Sequence, residues 1–162
     1  MMIREAKDSD FAAIWPIFHE IARAGDTYAY KTEISCDEAF QVWMTLPVKT
    51  FVAEEDGQIL GTYYIKANQA GPGAHICNCG YMVASNARGK GLATAMCKHS
   101  QKVAVELGFD GMQFNFVAST NKGAVRLWGR LGFETVGTLP KAFKHPIKGN
   151  VDAFVMFKWL AD

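Results

Sequence analysis

Two glycines flanked by basic residues form the part of this chain best suited to bind an anion. The segment from Arg88 to Ala93 reads Arg-Gly-Lys-Gly-Leu-Ala and lies between an apolar run, Ile76–Val83, and a segment of helical periodicity, Leu92–Leu107. A strand that turns into a helix collects unpaired backbone N–H groups at the positive end of the helix dipole. Glycine lets a ligand lie against the backbone, although such turns also use glycine for packing alone. The segment predicts a phosphate or pyrophosphate site.

The elements that position this segment follow from the periodicity of the apolar residues. The predicted strands are Ile3–Ala6, Thr50–Glu54, Ile59–Lys66, Ile76–Val83, Met112–Ala118, Thr135–Leu139 and Val151–Trp159. The predicted helices are one from Asp8 or Ser9 to Gly25, one capped by Ser35, and Leu92–Leu107 and Asn121–Leu131. Because the third helix has the length of a right-handed crossover, the strands on either side of it should be parallel neighbours. Pro140–Asn150 is predicted to be a long basic and aromatic loop. This order predicts an α/β fold in which helices cover both faces of a mixed sheet.

Composition limits the class of protein. The 162 residues are 49% hydrophobic and 20% charged, which suits one globular domain over residues 1–162. The formal net charge of +1 does not provide the basic surface of a nucleic-acid-binding protein. Charges begin at Arg4, and no segment has the length and apolarity of a membrane span or a signal peptide. We therefore expect a cytoplasmic protein whose cysteines stay reduced.

Two motifs identify the family that the chain resembles. The spacing at 88–93 fits neither a P-loop nor a dinucleotide fingerprint. The pattern Arg-x-x-Gly-x-Ala instead resembles the acetyl-CoA loop of the GNAT acetyltransferase superfamily. A second set of residues resembles the later motif of that superfamily: Asn121, Ala124, Leu127, Leu131, Gly132 and Phe133. Within this motif Trp128 stands where tyrosine is usual. The chain is identified as a member by these two motifs, which follow each other in the right order.

The resemblance implies both a fold and the way in which it would hold acetyl-CoA. It implies a central, mostly antiparallel sheet in which two parallel strands splay apart, with the pantetheine arm in the gap. Backbone N–H groups would hold the pyrophosphate, and they belong to Arg88, Gly89, Lys90, Gly91, Leu92, Ala93 and Thr94. Val83 would pair with the pantetheine amides, Asn121 would bond the arm from its other side, and an amide near Met82 or Val83 would stabilise the oxyanion.

The acid and the base of the implied reaction are not evident. An indole N–H cannot act as an acid near neutral pH, so Trp128 would only shape the thiol pocket, and Tyr81 or water would protonate the thiolate. The strand before the glycine turn lacks the family's usual glutamate, which leaves His75 or an ordered water as the base. His75, Cys77 and Cys79 alternate on one strand without a fourth ligand nearby, so we expect no metal.

Polar residues around the gap suggest the acceptor. Asn78 and Asn115 fall in apolar central strands, where a buried amide is costly unless it is satisfied, so we expect the pair to bind the acceptor or to satisfy bulges in their own strands. Tyr28 and Tyr30 lie in a loop suited to substrate contacts. The sequence around both asparagines resembles fungal acetyltransferases that act on proline analogues, which implies a small amino-acid-like amine.

The predicted function is therefore direct transfer of an acetyl group from acetyl-CoA to a small amine. Acetylation of a protein N-terminus or a lysine, and a non-catalytic acyl-CoA-binding module, remain as alternatives. Neither a nucleic acid nor a membrane is an expected partner. Members of the family commonly dimerise, so a homodimer is left open.

Overall fold

Strands and helices alternate much as the periodicity predicts. The computed structural model describes Met1 to Asp162, and its seven strands are β1 (Met2–Glu5), β2 (Lys49–Glu55), β3 (Gln58–Ala67), β4 (Ile76–Val83), β5 (Gly111–Ala118), β6 (Glu134–His145) and β7 (Gly149–Trp159). The helices are α1 (Phe11–Ala24), α2 (Cys36–Phe40), α3 (Leu92–Glu106) and α4 (Lys122–Arg130). The strands form one sheet in the order β1-β2-β3-β4-β5-β7-β6, and only the β4 and β5 neighbours are parallel. The predicted fold class is confirmed.

Local signals set the ends of several elements. The β2–β3 hairpin turns at Asp56 and Gly57, whose φ angles of 50° and 77° suit the predicted Asp-Gly turn. Ser35 caps α2 through a capping box with Glu38, as its position before the helix predicts. Gly25 ends α1 in the left-handed conformation with φ 65°.

Helices cover both faces of the sheet because successive strand residues point to opposite sides. On one face α1 and α2 pack over a cluster that includes Tyr64 and Met82. On the other face α3 and α4 pack over a cluster that includes Tyr63 and Tyr81. The adjacent tyrosines of β3 therefore belong to different halves of the core.

The prediction of a loop at Pro140–Asn150 is wrong. Strand β6 continues to His145 and pairs with β7 up to Gly149. A register shift between Leu139 and Phe143 accommodates Pro140, which has no N–H to donate, and Lys141, whose φ is 56°. Phe143 is buried against Ala118 and Ala153, so the aromatic residue of the predicted loop belongs to the core.

The parallel strands separate soon after they meet. Their pairing is confined to Ile76 with Gly111 and Cys77 with Met112, at the start of both strands. A Cβ added to Gly111 would lie 2.9 Å from the Ile76 side chain and 3.0 Å from that of Phe157. Glycine at this position therefore allows β4 and β5 to pair closely. Beyond it β4 and β5 diverge toward their carboxyl ends and leave a gap.

None of the helices combines the length and the apolar character needed to cross a membrane.

Gly80 permits a second close contact in the sheet, and this contact predicts a stability effect. A Cβ at Gly80 would lie 2.5 Å from the Tyr64 ring, which crosses over it from β3. We expect Gly80→Ala to lower the free energy of unfolding by about 1–3 kcal/mol, the usual cost of overpacking. Urea denaturation monitored by tryptophan fluorescence would measure it.

The control is Gly129→Ala, because Gly129 is exposed in α4 with nothing within 4 Å of an added Cβ. That variant should raise the free energy of unfolding by about 0.5–1 kcal/mol. Unchanged stability of Gly80→Ala would contradict the packing of Tyr64 over this glycine.

Candidate active site

A cleft of about 800 Å³ opens where β4 and β5 separate. The predicted site residues that line it are Tyr28, Tyr30, Asn78, Tyr81, Met82, Val83, Arg88, Ala93, Asn115, Asn121 and Trp128. Those that do not line it are His75, Gly89, Lys90, Gly91, Leu92 and Thr94. Residues of both sequence motifs thus share one cleft with the residues predicted to contact the acceptor.

The start of α3 is open to an anion. Gly91 is its N-cap with φ 79°, and no side chain caps this end of the helix. The first intrahelical bond reaches the amide of Ala95, so the preceding N–H groups of the first turn have no partner in the helix. Gly89, with φ 77°, and Gly91 have nothing within 4 Å of an added Cβ. Arg88 and Lys90 are exposed beside this turn, and these features fit the predicted pyrophosphate cradle.

Alternate residues of β4 turn their backbone groups toward the gap. The N–H of Tyr81 donates to the Tyr28 hydroxyl at 2.7 Å, and that hydroxyl donates to the Tyr81 carbonyl at 2.6 Å. Because backbone groups in an antiparallel ladder alternate in direction, those of Met82 turn toward β3 and those of Val83 toward the gap. Of the two amides predicted to stabilise an oxyanion, that of Val83 has the suitable direction.

The hydroxyl of Tyr81 lies on the other side of the sheet from Tyr28. It is 2.7 Å from the Ser100 Oγ of α3 and 3.6 Å from the Met112 sulfur. Burial raises the pKa of the Tyr81 phenol well above its ordinary value. Since this hydroxyl is engaged in the core, we do not retain Tyr81 as the proton donor, and its contribution to the gap is its backbone.

Trp128 extends from α4 and packs against the sheet. Its ring centroid lies 5.1 Å from that of Tyr81 and 5.1 Å from that of Phe114. Asn121 caps α4 by accepting a 3.4 Å bond from the Ala124 N–H, and its amide nitrogen is not used in that bond. This arrangement fits a wall for the thiol end of the ligand, with Asn121 beside it.

Asn78 connects three strands across the gap. Its Oδ1 accepts from the Tyr64 hydroxyl at 2.7 Å, and its Nδ2 donates to the Gln113 carbonyl of β5 at 2.8 Å. Only 6% of Asn78 is exposed. Its amide therefore holds β3, β4 and β5 together, which leaves one lone pair and one hydrogen for a ligand. Sequence reasoning missed Tyr64, whose signal was a tyrosine placed opposite a glycine of the next strand.

Asn115 is exposed, contrary to the prediction of a buried amide. It falls in the register shift of β5 between Phe114 and Val117, which turns its side chain outward. Its Nδ2 donates to Asn68 at 2.6 Å, and its Oδ1 accepts from Gln113 at 2.9 Å. Asn115 therefore forms part of an amide network at the rim of the cleft.

His75 lies far from the gap. It is exposed in the turn before β4, at the end where β4 and β5 still pair. Along a strand the distance from His75 to Val83 is about 26 Å at ~3.3 Å per residue. Its imidazole does not line the cleft, so we do not retain His75 as the base.

Charged residues that the sequence analysis did not select also line the cleft. Glu20 and Asp26 contribute carboxylates from the side of α1, and Lys66 contributes an ammonium group from β3. The Lys66 Nζ lies 5.4 Å from the centroid of the Tyr64 ring. None of the ion pairs in the structure involves Lys66. Its charge is therefore available to a ligand.

Comparison with known proteins identifies the family. The model described as the acetyltransferase (GNAT) family matches residues 11–133. The chain belongs to this family. The family predicted from the two motifs is confirmed. Its description supports the predicted class of enzyme, an acetyl-CoA-dependent acyltransferase.

Relatives and solved structures resemble the chain in sequence, in fold or in both. A GCN5-related N-acetyltransferase from Kribbella flavida has 44% identity and a TM-score of 0.94, over 98% of this chain and 97% of its own. N-acetyltransferase aca1 of Schizosaccharomyces pombe is 37% identical over 100 residues, which are 60% of this chain and 47% of aca1. A phosphinothricin acetyltransferase from Sinorhizobium meliloti, solved with acetyl-CoA, has 22% identity and a TM-score of 0.87 over 99% of this chain and 88% of its own. This chain thus spans about half the length of the yeast relative.

The uncapped start of α3 predicts the effect of a charge at Gly91. Glutamate there would place a carboxylate against the pyrophosphate, so we expect Gly91→Glu to weaken acetyl-CoA binding by about a hundredfold or more, because like charges in contact cost several kcal/mol. Isothermal titration calorimetry would measure the dissociation constant.

The control is Gly57→Glu in the β2–β3 turn. Gly57 has a similar φ of 77° and open space around it, but it lies in a hairpin turn between two strands and not at the start of a helix. Its variant should bind acetyl-CoA normally, and an unchanged dissociation constant for Gly91→Glu would contradict the cradle.

The packing of Trp128 predicts that its indole does not transfer a proton. Trp128→Phe should keep turnover within about tenfold, whereas the loss of a general acid costs about 10²–10⁴-fold. Trp128→Tyr would add a phenol at this position and should change the pH dependence of the rate. A Phe variant that folds and binds acetyl-CoA but loses all turnover would show that the indole N–H takes part.

Proposed function

We propose that the protein transfers the acetyl group of acetyl-CoA to the amine of a small substrate that carries a carboxylate. The observation that carries the proposal is the cleft itself, because Arg88 and Ala93 at the start of α3 line it together with residues of the gap between β4 and β5. A ligand with a phosphate at one end and a reactive carbonyl at the other fits this arrangement. Acetyl-CoA is such a ligand.

The backbone supplies most of the proposed chemistry. The first turn of α3 holds the pyrophosphate, and Val83 offers its N–H to the thioester oxygen, where negative charge develops during attack by the amine. The carbon–nitrogen bond forms, the carbon–sulfur bond breaks, and the departing thiolate takes the proton that the amine loses. Positioning of the two reactants in one cleft provides the main rate advantage.

Lys66 supports an acceptor with a carboxylate. Its ammonium group lies near a ring that crosses over Gly80, one residue before Tyr81. An anion bound there would be next to Asn78, which keeps one hydrogen for a second bond. The cleft is also lined by Asn115, Tyr28 and Tyr30, which would contact the rest of the acceptor.

A screen for release of free CoA from acetyl-CoA tests the proposal. Amino acids, their decarboxylated amines, polyamines and short peptides would be compared as acceptors. Turnover of amino acids above that of the matched amines is the expected result. Turnover of peptides alone would favour acetylation of a protein, and acetyl-CoA binding without any turnover would favour a binding module.

The role of Lys66 predicts a selective loss. Lys66→Met should lower kcat/KM for the amino acid by about 10–100-fold, the usual effect of removing a bond to a charged group. The value for the decarboxylated amine should hardly change. Lys98→Met, an exposed lysine of α3, is the control and should affect neither. Equal losses for acid and amine would contradict carboxylate binding by Lys66.

A further inference from the structure

The hydroxyl of Tyr28 lies where the backbone of a neighbouring strand would pair with the open edge of β4. Its hydroxyl accepts from the Tyr81 N–H at 2.7 Å and donates to the Tyr81 carbonyl at 2.6 Å. An added strand would use the same two groups of β4, so the phenol substitutes for the peptide group of a neighbouring strand. The edge of β4 is therefore closed at Tyr81.

The Tyr28 ring is held in place by other aromatic rings. It stacks on Tyr30 at 5.7 Å and meets the edge of Trp43 at 6.5 Å. Trp43 is fully buried, and its Nε1 donates to the Thr62 hydroxyl at 3.0 Å. This packing fixes the loop after α1 against the sheet.

The position of Tyr28 limits a ligand that runs along β4 from the start of α3. Such a ligand first reaches the backbone of Val83, and the next groups that face the gap are those of Tyr81. Two residues of a strand separate these positions, which is about 6.6 Å. A ligand that follows the edge of β4 must end within this distance or displace the phenol.

We infer that Tyr28 restricts the acyl group of the bound thioester to acetyl. The inference rests on the proposed function, which places the thioester carbonyl at Val83. A methyl group beyond the carbonyl fits before the ring, whereas a longer acyl chain would push Tyr28 from Tyr81 and leave two buried backbone groups without partners. Tyr28 is thus a specificity-determining residue for the acyl donor.

Calorimetry with CoA, acetyl-CoA, propionyl-CoA and butyryl-CoA tests this role without an acceptor. The wild-type protein should bind acetyl-CoA at least about tenfold more tightly than butyryl-CoA. Tyr28→Ala should bring the two dissociation constants to within about threefold by improving butyryl-CoA, while CoA binding stays the same. Tyr28→Phe keeps the ring and should keep most of the preference. Thermal unfolding would confirm that each variant folds, and Tyr28→Val replaces the alanine variant if that one does not.

The outcomes separate this inference from the proposed function. If the wild-type protein binds neither CoA nor acetyl-CoA, the proposed function fails and the inference fails with it. If both bind but Tyr28→Ala or Tyr28→Val retains the wild-type preference, only the role of Tyr28 is refuted. A Tyr28→Phe variant that binds acetyl-CoA more than about tenfold tighter would also refute it, because the phenol would then be a competitor for the Tyr81 amide.

Discussion

The gap between β4 and β5 depends on the buried amide of Asn78. This side chain bonds to Tyr64 on one side and to the Gln113 carbonyl on the other, so it connects the two separating strands where their own ladder has ended. An amide in this position would be costly without both partners. Because both partners are present, the Asn78 amide fixes the width of the gap between β4 and β5. The backbone farther along β4 then faces the cleft.

Two glycines make this arrangement possible. Gly111 lets β4 and β5 approach where they pair, and Gly80 lets the Tyr64 ring cross the sheet to reach Asn78. The two glycines therefore allow β4 and β5 to approach at their amino ends and to separate toward their carboxyl ends. Bulkier residues at either glycine would disturb the strands that frame the cleft.

Features that arise from neighbouring residues can be predicted from the sequence, whereas features that arise from contacts between distant residues cannot. The bounds of β4 and the start of α3 were predicted closely, because a continuous apolar run and a glycine turn are local signals. The contacts that shape the cleft join residues far apart in sequence, by 14 positions for Tyr64 and Asn78 and by 53 for Tyr28 and Tyr81. The exposure of Asn115 follows from a bulge that has no local composition signal. The length of strand β6 differs from the prediction because Pro140 and its basic neighbours have the composition of a loop.

Neutral aromatic groups line the gap around Tyr81, whereas the charged residues Glu20, Asp26 and Lys66 line other parts of the same cleft. Burial raises the pKa of both Tyr28 and Tyr81 well above the ordinary value of a phenol, and it raises the pKa of Tyr30 to about 12. All three phenols therefore keep their protons near neutral pH and act as hydrogen-bond donors, not as bases. His75 is at the other end of β4, and the Trp128 indole does not titrate in this range. The protein groups nearest the gap would then hold the thioester and exclude water. The proton that the amine loses would pass to the departing thiolate.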